Sequence, residues 1–444
     1  MSILSQIAFV LVMGIFGFFI YKRISRIKSN INLGREVDIP KDPKRWQNLI
    51  LIAFGQKKMF KKLIPAFFHF LIYIGFILIN IEVLEIILDG LLGTHRLFAP
   101  ALGDFYPFLI SFFEVLAVLV IAACVVFLIR RNVLNVKRFR KPEMKGWPAL
   151  DGNLILVIEI VLMVAILSMN SADLVLQNRG ADHYAQTGTF LISGLMMPLF
   201  EGLDVTTLVF VERVAWWLHI VGIFAFALYV TYSKHLHIFM AFPNTYYGKI
   251  QPKGQMDNMP EITNEVKMML GVQTDGADQP AAPPEGFTFG AKDVNALSWK
   301  NIMDAYACTE CGRCTAECPA NLTGKKLSPR KIMMDTRDRA EEAGEQLAKG
   351  EKPFDNGKAL LSEQYISKEE LNACTSCNAC VEACPVSINP LDIILQMRRY
   401  VAMEESGSPA SWNAMFQNVE TNFAPWKFSA QDRFAWADDL KQDS

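Results

Sequence analysis

Two copies of one cysteine pattern near the C-terminal end limit most strongly what this chain can fold into. They read Cys308-x2-Cys311-x2-Cys314-x3-Cys318-Pro319 and Cys374-x2-Cys377-x2-Cys380-x3-Cys384-Pro385. In this spacing three thiolates close in sequence bind one [4Fe–4S] cluster, and the fourth cysteine, before proline, binds the cluster of the other copy. We therefore predict two [4Fe–4S] clusters, one bound by Cys308, Cys311, Cys314 and Cys384, the other by Cys374, Cys377, Cys380 and Cys318.

Zinc and disulfides are the alternatives for so many cysteines. Zinc sites rarely use this spacing, least of all twice with a proline after each fourth cysteine. Disulfides are disfavoured because thiols that face a reducing compartment stay reduced. Of the nine cysteines only Cys124 lies outside the two copies, in an apolar run where a packed thiol is expected.

Hydrophobic residues make up 51% of the chain and are segregated from the charged ones. Five segments are apolar over the ~20 residues that a helix needs to cross a bilayer. They are predicted at about 2–20, 63–88, 105–129, 152–172 and 207–238. For the first segment a signal peptide is the alternative, but no charged stretch precedes it and no small-residue cleavage site follows. The shorter apolar segment 187–203 is predicted to be re-entrant or interfacial, with a sixth span as the alternative.

The basic residues predict the orientation of these helices. Lysine and arginine are abundant in 22–62 and 130–145 and nearly absent from 89–104 and 171–205. Cytoplasmic loops carry the excess of basic residues. We therefore expect a multi-pass protein of the cytoplasmic (inner) membrane, with its N-terminus outside and its cysteine motifs in the reducing cytoplasm.

The chain divides into four predicted parts. Residues 1–240 form a transmembrane domain, 241–297 a polar linker, 298–404 the iron–sulfur domain and 405–444 an aromatic-rich tail. The long spacer between the cysteine motifs has helical periodicity and no strand alternation, which favours an α-helical ferredoxin domain. The expected fold class is mainly α: a five-helix transmembrane bundle followed by an α-helical dicluster ferredoxin domain. The tail is either a docking arm for a partner or packs back on its own domain.

Histidines in the apolar segments are candidates for a second kind of cofactor. His69 lies near the cytoplasmic end of segment 63–88, and His219 and His237 lie in segment 207–238. If 207–238 is one helix, His219 and His237 share a face about 27 Å apart, and His237 lies level with His69. Histidines inside a span are functional candidates by default, and two facing imidazoles suit a b-type haem. The alternative is a histidine bonded to a backbone carbonyl near the interface.

A second haem would require a partner for His219 in the outer half of the membrane. His95, just beyond segment 63–88, is the candidate, and His183 is a poorer one. Charged residues also occur in the apolar segments, and they either carry protons to a quinone or form ion pairs. These residues are Glu82, Glu85, Glu114, Glu159, Glu212 and Arg213.

Two parts of the sequence resemble two different protein families. The membrane part resembles the γ subunit of respiratory nitrate reductase, a di-haem b quinol-oxidising subunit, through Pro65-x3-His69, His219 and His237, and the run Gly55-Gln56-Lys57-Lys58. The cysteine part resembles the dicluster subunit of heterodisulfide reductase. The fusion is similar to membrane iron–sulfur proteins of the heterodisulfide-reductase-like group, including those that serve electron-transfer flavoprotein:menaquinone oxidoreduction.

The sequence departs from these families at two points. Ile79 stands where the nitrate reductase subunit has a second histidine, and the chain has no Cys-Cys pair. The resemblance therefore implies that the Cys-Cys-Gly module of relatives is a separate iron–sulfur subunit. An electron-transfer flavoprotein is the other partner it implies.

The predicted function is membrane-bound electron transfer. Electrons pass between a cytoplasmic redox partner and membrane (mena)quinone through two [4Fe–4S] clusters and haem b, with the chemistry supplied by the cofactors. No nucleotide-binding glycine motif or nucleophile–base pair is present, so we expect an oxidoreductase subunit that depends on a catalytic partner, and no nucleic acid ligand. The alternatives are a subunit of a heterodisulfide or disulfide reductase, and a haem-free membrane anchor for the iron–sulfur domain.

Overall fold

The computed structural model describes residues 2–134, 136–252, 254–272, 288–427, 429, 432 and 434–442. Five helices are long and apolar enough to cross a membrane. They are α1 Ile3–Ile31, α2 Leu63–Leu92, α3 Phe105–Asn132, α4 Trp147–Asn178 and α5 Val205–Val230. Among the described residues no β-strand occurs, only two isolated bridges. The prediction of a mainly α protein with five membrane helices before the cysteine region is confirmed.

Shorter helices connect these spans and build the C-terminal part. Before α2 lie Pro43–Asn48, the π-helix Leu49–Phe54 and the 3₁₀ turn Met59–Lys61; Ala99–Leu102 precedes α3, and Leu191–Met196 precedes α5. After α5 come α6 His237–Tyr246, Pro260–Met269, α7 Trp299–Tyr306, α8 Pro329–Ala348, α9 Pro390–Met403, α10 Ala410–Asn422 and Ala435–Gln442. One-turn helices Arg313–Ala316, Pro319–Leu322, Lys368–Ala373 and Ala379–Ala383 surround the cysteines.

Helix α1 extends well beyond its predicted end at residue 20. At 1.5 Å per residue it is about 44 Å long, more than the ~30 Å hydrocarbon core. Its C-terminal end packs on the iron–sulfur domain, where Arg23 donates two hydrogen bonds to Glu341, at 2.7 and 2.8 Å, and Asn30 donates one to Tyr306 Oη at 2.9 Å. Apolar periodicity alone could not reveal this, because the helical end is stabilised by tertiary contacts.

Helix α5 ends at Val230, so the prediction of one helix over 207–238 is wrong. The chain turns because Asp151 on α4 accepts hydrogen bonds from Ser233 Oγ at 2.7 Å and from the Lys234 backbone N–H at 3.2 Å. His237 therefore begins the separate helix α6. The predicted shared face of His219 and His237 is corrected accordingly.

The predicted linker 241–297 is packed at both ends. Asn244 is fully buried in α6, and its amide donates to the Val386 carbonyl at 3.0 Å. At the other end Asp293 accepts from the buried guanidinium of Arg339, with a shortest distance of 2.6 Å. The Pro-rich run at 279–286, predicted to be flexible or extended, lies outside the described residues.

The aromatic side chains in the described part of the tail are exposed. Trp412 and Phe416 on α10 are 40% and 51% exposed, and Phe423 and Trp426 are 80% and 70% exposed. The described part of the tail therefore does not bury these rings against its own domain.

Candidate redox centres

The two cysteine loops have the same local backbone shape. Glu310 and Ser376, two residues after the first cysteine of each loop, have positive φ angles of 55° and 56°. Their backbone N–H groups donate to Cys308 Sγ and Cys374 Sγ, each at 3.4 Å. Hydrogen bonds to sulfur are one of the protein's means of tuning an iron–sulfur cluster. The repeated sequence thus forms two equivalent thiol-presenting loops.

The structure brings the cysteines of the two motifs into one region, where Cys314 also has Cys380 as a neighbour. Cys308 and Cys314 have Cys311 and Cys384 as close electrostatic neighbours. A small cavity is lined by the other four thiol groups, those of Cys318, Cys374, Cys377 and Cys380. Hereafter the first group is called the inner site and the second the outer site.

All nine cysteines are free thiols, so the structure contains no disulfide among them. In the described ranges, no three His, Cys, Asp or Glu side chains are grouped closely enough to hold one metal ion. The preference for [4Fe–4S] clusters over zinc rests on the spacing of the two motifs.

The two sites differ in exposure. Cys377 of the outer site is exposed, whereas in the inner site Cys308 is buried and the other three cysteines are half-buried. The outer site is therefore the one that presents a ligand to the protein surface.

His69 and His237 face each other despite the break after α5. Their ring centroids are 6.5 Å apart, with 41° between the ring planes. His237 Nδ1 lies 3.2 Å from the Lys234 carbonyl oxygen, and that bond leaves its Nε2 for another partner. His69 Nδ1 is buried and has no hydrogen-bond partner within the described ranges. His235, which we interpret as an interfacial histidine, lies beside them with its ring 5.2 Å from that of His237.

The inner site is joined to the segment before His237 by a buried ion pair. Lys234 Nζ lies 2.6 Å from Glu310 Oε2, and these side chains are only 8% and 3% exposed. Arg337 on α8 contacts the other oxygen of Glu310 at 2.9 Å. Burial opposes ionisation, but Arg337 and Lys234 outweigh it and hold the pKa of Glu310 below its usual value. Glu310 is therefore a carboxylate that links the cysteine loop to the histidine segment.

A second contact joins the inner site to the segment before α2. Arg313, between Cys311 and Cys314, donates to the Met59 carbonyl at 3.4 Å and lies 3.0 Å from Met59 Sδ. The guanidinium is also an electrostatic neighbour of His69. The first cysteine loop thus contacts the segments that lead to both His69 and His237.

His219 and His95 are not brought together. His219 is fully buried, its Nδ1 lies 2.9 Å from the Leu162 carbonyl, and its Nε2 has no partner in the described part of the chain. His95 Nε2 lies 3.4 Å from Asp173 Oδ1. Leu162 and Asp173 are about 16 Å apart along α4. The arrangement therefore does not offer His95 as an opposing ligand for His219.

Most of the charged residues in the half of the helix bundle away from the cysteine domain bind loops and short helices. Glu114 on α3 accepts the backbone N–H groups of Ile192 and Ser193, at 2.9 and 3.1 Å, and so caps the short helix Leu191–Met196. Arg96 forms a buried ion pair with Asp173 at 2.8 Å. These contacts favour the ion-pair interpretation of the buried charges, and they hold segment 187–203 against the bundle.

The sequence reasoning missed Glu310, Arg313 and Lys234. Glu310 and Arg313 lie inside the first cysteine motif, and that position is the signal that could have identified them. Only the cysteines and the proline of this motif were assigned a role from the sequence. The sequence around Lys234 does not indicate its contact with Glu310, because that contact depends on the turn after α5.

Comparison with known proteins supports the iron–sulfur assignment. Residues 307–388 match the 4Fe-4S dicluster domain family. The chain is 26% identical to the probable iron-sulfur-binding oxidoreductase FadF of Bacillus subtilis, over 89% of this chain and 54% of that protein. It is also 26% identical to the EtfAB:quinone oxidoreductase of Syntrophomonas wolfei, over 88% of this chain and 53% of that protein.

A more distant relative covers a smaller part. One component of the dihydromethanophenazine:CoB–CoM heterodisulfide reductase of Methanosarcina barkeri is 27% identical over 32% of this chain and 35% of that protein. The chain spans about half the length of the first two relatives. No solved structure matches it. The predicted resemblance to heterodisulfide-reductase-like iron–sulfur proteins and the prediction of two [4Fe–4S] clusters are confirmed by these matches.

Proposed function

We propose that this membrane iron–sulfur protein carries electrons between a cytoplasmic redox partner and a membrane quinone, with two [4Fe–4S] clusters and one haem b as cofactors. The observation that carries the proposal is the facing pair His69 and His237, 6.5 Å apart, beside the cysteine loop of the inner site. A soluble ferredoxin needs no such pair, and neither does a simple membrane anchor. Haem supplies one-electron chemistry within the apolar part of the molecule.

The residues around the histidine pair fit a bis-imidazole haem site. Two imidazoles bound at about 2 Å on opposite sides of one metal have ring centroids roughly 6 Å apart. The hydrogen bond from His237 to the Lys234 carbonyl, at 3.2 Å, orients the ring; such second-shell bonds are usual for metal-binding histidines. Phe60 and Phe70, whose ring centroids are 5.9 Å apart, add apolar surface near the start of the helix that carries His69.

One haem is proposed rather than two. His219 has an unpartnered Nε2 among the described residues, which is suited to a metal, but His95 contacts Asp173 instead. Because no second ligand faces His219, a haem at His219 lacks the support that the facing pair gives to a haem at His69 and His237.

The proposed orientation has the N-terminus outside and the cysteine domain in the cytoplasm. It rests on the basic residues that cluster in 22–62 and 130–145, since cytoplasmic loops carry such an excess. Arg138 in the second of these loops lies next to the inner site, its backbone carbonyl accepting from Arg330 at 2.7 Å. The basic loops and the clusters therefore belong to one side of the membrane.

The proposed redox partner is an electron-transfer flavoprotein or a separate Cys-Cys-Gly iron–sulfur subunit. The name of the Syntrophomonas relative, EtfAB:quinone oxidoreductase, supports the first partner and the quinone, and the heterodisulfide reductase relative supports the second. The exposed Cys377 gives such a partner its nearest approach to a cluster.

The test is the haem content of the full chain purified in detergent. His69→Ala and His237→Ala should each abolish the low-spin b-type absorption spectrum or convert it to high spin, because one axial ligand is lost. His183→Ala, in an exposed loop, is the matched control and should keep the spectrum. Normal low-spin spectra in both His69→Ala and His237→Ala would overturn the haem assignment and leave an anchored ferredoxin.

A further inference from the structure

The inner site lies among arginines. A Cβ placed on Gly312, within the first cysteine loop, would lie 2.4 Å from Arg330 Nη1 and 3.4 Å from Arg138 Cβ, so both side chains pack directly on this loop. Arg313 belongs to the loop itself and is 4% exposed. Gly312 also has a φ of 70°; a residue without a Cβ is therefore needed both for the turn and for the approach of the two arginines.

Some of these cations have carboxylate partners and others do not. Arg330 pairs with Glu143 at 2.7 Å, and Glu310 is shared between Lys234 and Arg337. In the described part of the chain, no carboxylate contacts Arg138 or Arg313. Among the described residues, the Arg313 guanidinium hydrogen-bonds to the carbonyl and sulfur of Met59, and Arg138 Nε is buried with no hydrogen-bond partner.

Arg313 is buried and Arg138 is half-buried, and a buried guanidinium without a counter-charge is costly. Arg138 is an electrostatic neighbour of Cys311, and a cluster with four thiolates is an anion. The thiolate cluster of the inner site is therefore the counter-charge that these two arginines lack.

The outer site has a weaker positive environment. Arg398 donates to the Leu371 carbonyl at 2.6 Å and to the Cys374 carbonyl, and it is the guanidinium in contact with the second cysteine loop. The nearest carboxylate on this loop, that of Glu382, pairs with Lys61. Among the described residues, one guanidinium thus lies against the loop of the outer site, whereas Arg138, Arg313 and the Lys234–Glu310–Arg337 bridge lie in or against the loop of the inner site.

Positive charge favours the reduced state of a cluster, because reduction adds one negative charge. It therefore raises the midpoint reduction potential, and net charge is a known determinant of cluster potentials. The effect is larger where water is excluded, and the inner site, unlike the outer site, has no exposed cysteine.

We propose that Arg138 and Arg313 make the inner-site cluster the higher-potential one, so that electrons run from the exposed outer site toward His69 and His237. One electron moving this way oxidises the reduced outer cluster and reduces the oxidised inner cluster. The direction of flow, from a cytoplasmic donor to the membrane, rests on the proposed function. The order of the two potentials does not.

The test is an electron paramagnetic resonance redox titration of the full chain purified in detergent. Arg138→Gln and Arg313→Gln should each move the higher-potential cluster signal to a more negative potential, lowering its reduced-to-oxidised ratio at a fixed applied potential at least threefold. The lysine variants Arg138→Lys and Arg313→Lys keep the charge and should retain most of the potential. Arg398→Gln is the matched control and should move the lower-potential signal only.

Cys311→Ser identifies which signal belongs to the inner site, because it removes one ligand there. The proposal is overturned if Cys311→Ser degrades the lower-potential signal, if neither glutamine variant moves a potential in protein with full iron content, or if the lysine variants shift it as much as the glutamine variants. Haem spectra recorded on the same samples separate this result from the haem assignment, since the order of cluster potentials stands or falls without it.

Discussion

The bridge of Lys234, Glu310 and Arg337 predicts a graded loss of stability when its members are removed. Glu310→Gln leaves the buried Lys234 and the half-buried Arg337 without their shared carboxylate, and removal of one partner of a buried pair costs about 3–5 kcal/mol. Lys234→Met leaves Glu310 with Arg337 at 2.9 Å, so its cost should be smaller, about 1–3 kcal/mol. The double variant should lose less than the sum, because the two single variants remove one interaction.

The assay is denaturant unfolding of the full chain in detergent, monitored by the absorbance of the clusters. The midpoints of the unaltered chain, Lys234→Met, Glu310→Gln and the double variant are compared. Tyr21→Phe, at an exposed position, is the control and should leave the midpoint unchanged. Equal losses in Lys234→Met and Glu310→Gln, or strictly additive losses in the double variant, would refute the shared-carboxylate reasoning.

The same bridge predicts a dependence on pH. The pKa of Glu310 is lowered in the folded protein from 4.5, so the ionised form is favoured by folding. Its stabilisation is fully present above the unfolded value and is lost as pH falls through the lowered folded value. The difference in midpoint between the unaltered chain and Glu310→Gln should therefore persist at neutral pH and shrink on acidification below about 4.5. A difference that grows on acidification would contradict this sign.

Three further predictions concern the outer site, the topology and the docking of α1. Cys377→Ser should degrade one [4Fe–4S] signal and spare the haem spectrum, because a hydroxyl replaces a thiolate poorly; two intact cluster signals would contradict the ligand assignment. A membrane-impermeant thiol reagent should label Asp182→Cys from outside and Lys137→Cys only after lysis, and reversed labelling would invert the orientation. Gly344→Ala places a Cβ 1.9 Å from Asn30 Oδ1 and should lower stability by about 1–3 kcal/mol; Asn30→Ala should restore part of it, and no rescue would argue against this contact.

Much of the organisation follows from the sequence alone. The doubled cysteine spacing predicts two clusters with exchanged fourth ligands, since thiolate spacing is a direct chemical constraint on what can be bound. Apolar length predicts the five spans, because a helix that crosses a bilayer must present about twenty apolar residues to it. Matched depth pairs His69 with His237, and the structure places their rings next to each other, with centroids 6.5 Å apart and 41° between the ring planes.

The tertiary structure decided those features that depend on residues far apart in the sequence. Asp151 ends α5 before His237, and apolar periodicity carries no trace of that turn. The end of α1 continues as a helix because it packs on α8 through Arg23 and Glu341. The charges around the inner site come from separate parts of the chain, with Arg138 between two spans and Arg313 inside a cysteine motif. Only folding brings them to one cluster, because side-chain electrostatics depends on distance in space and not on separation along the chain.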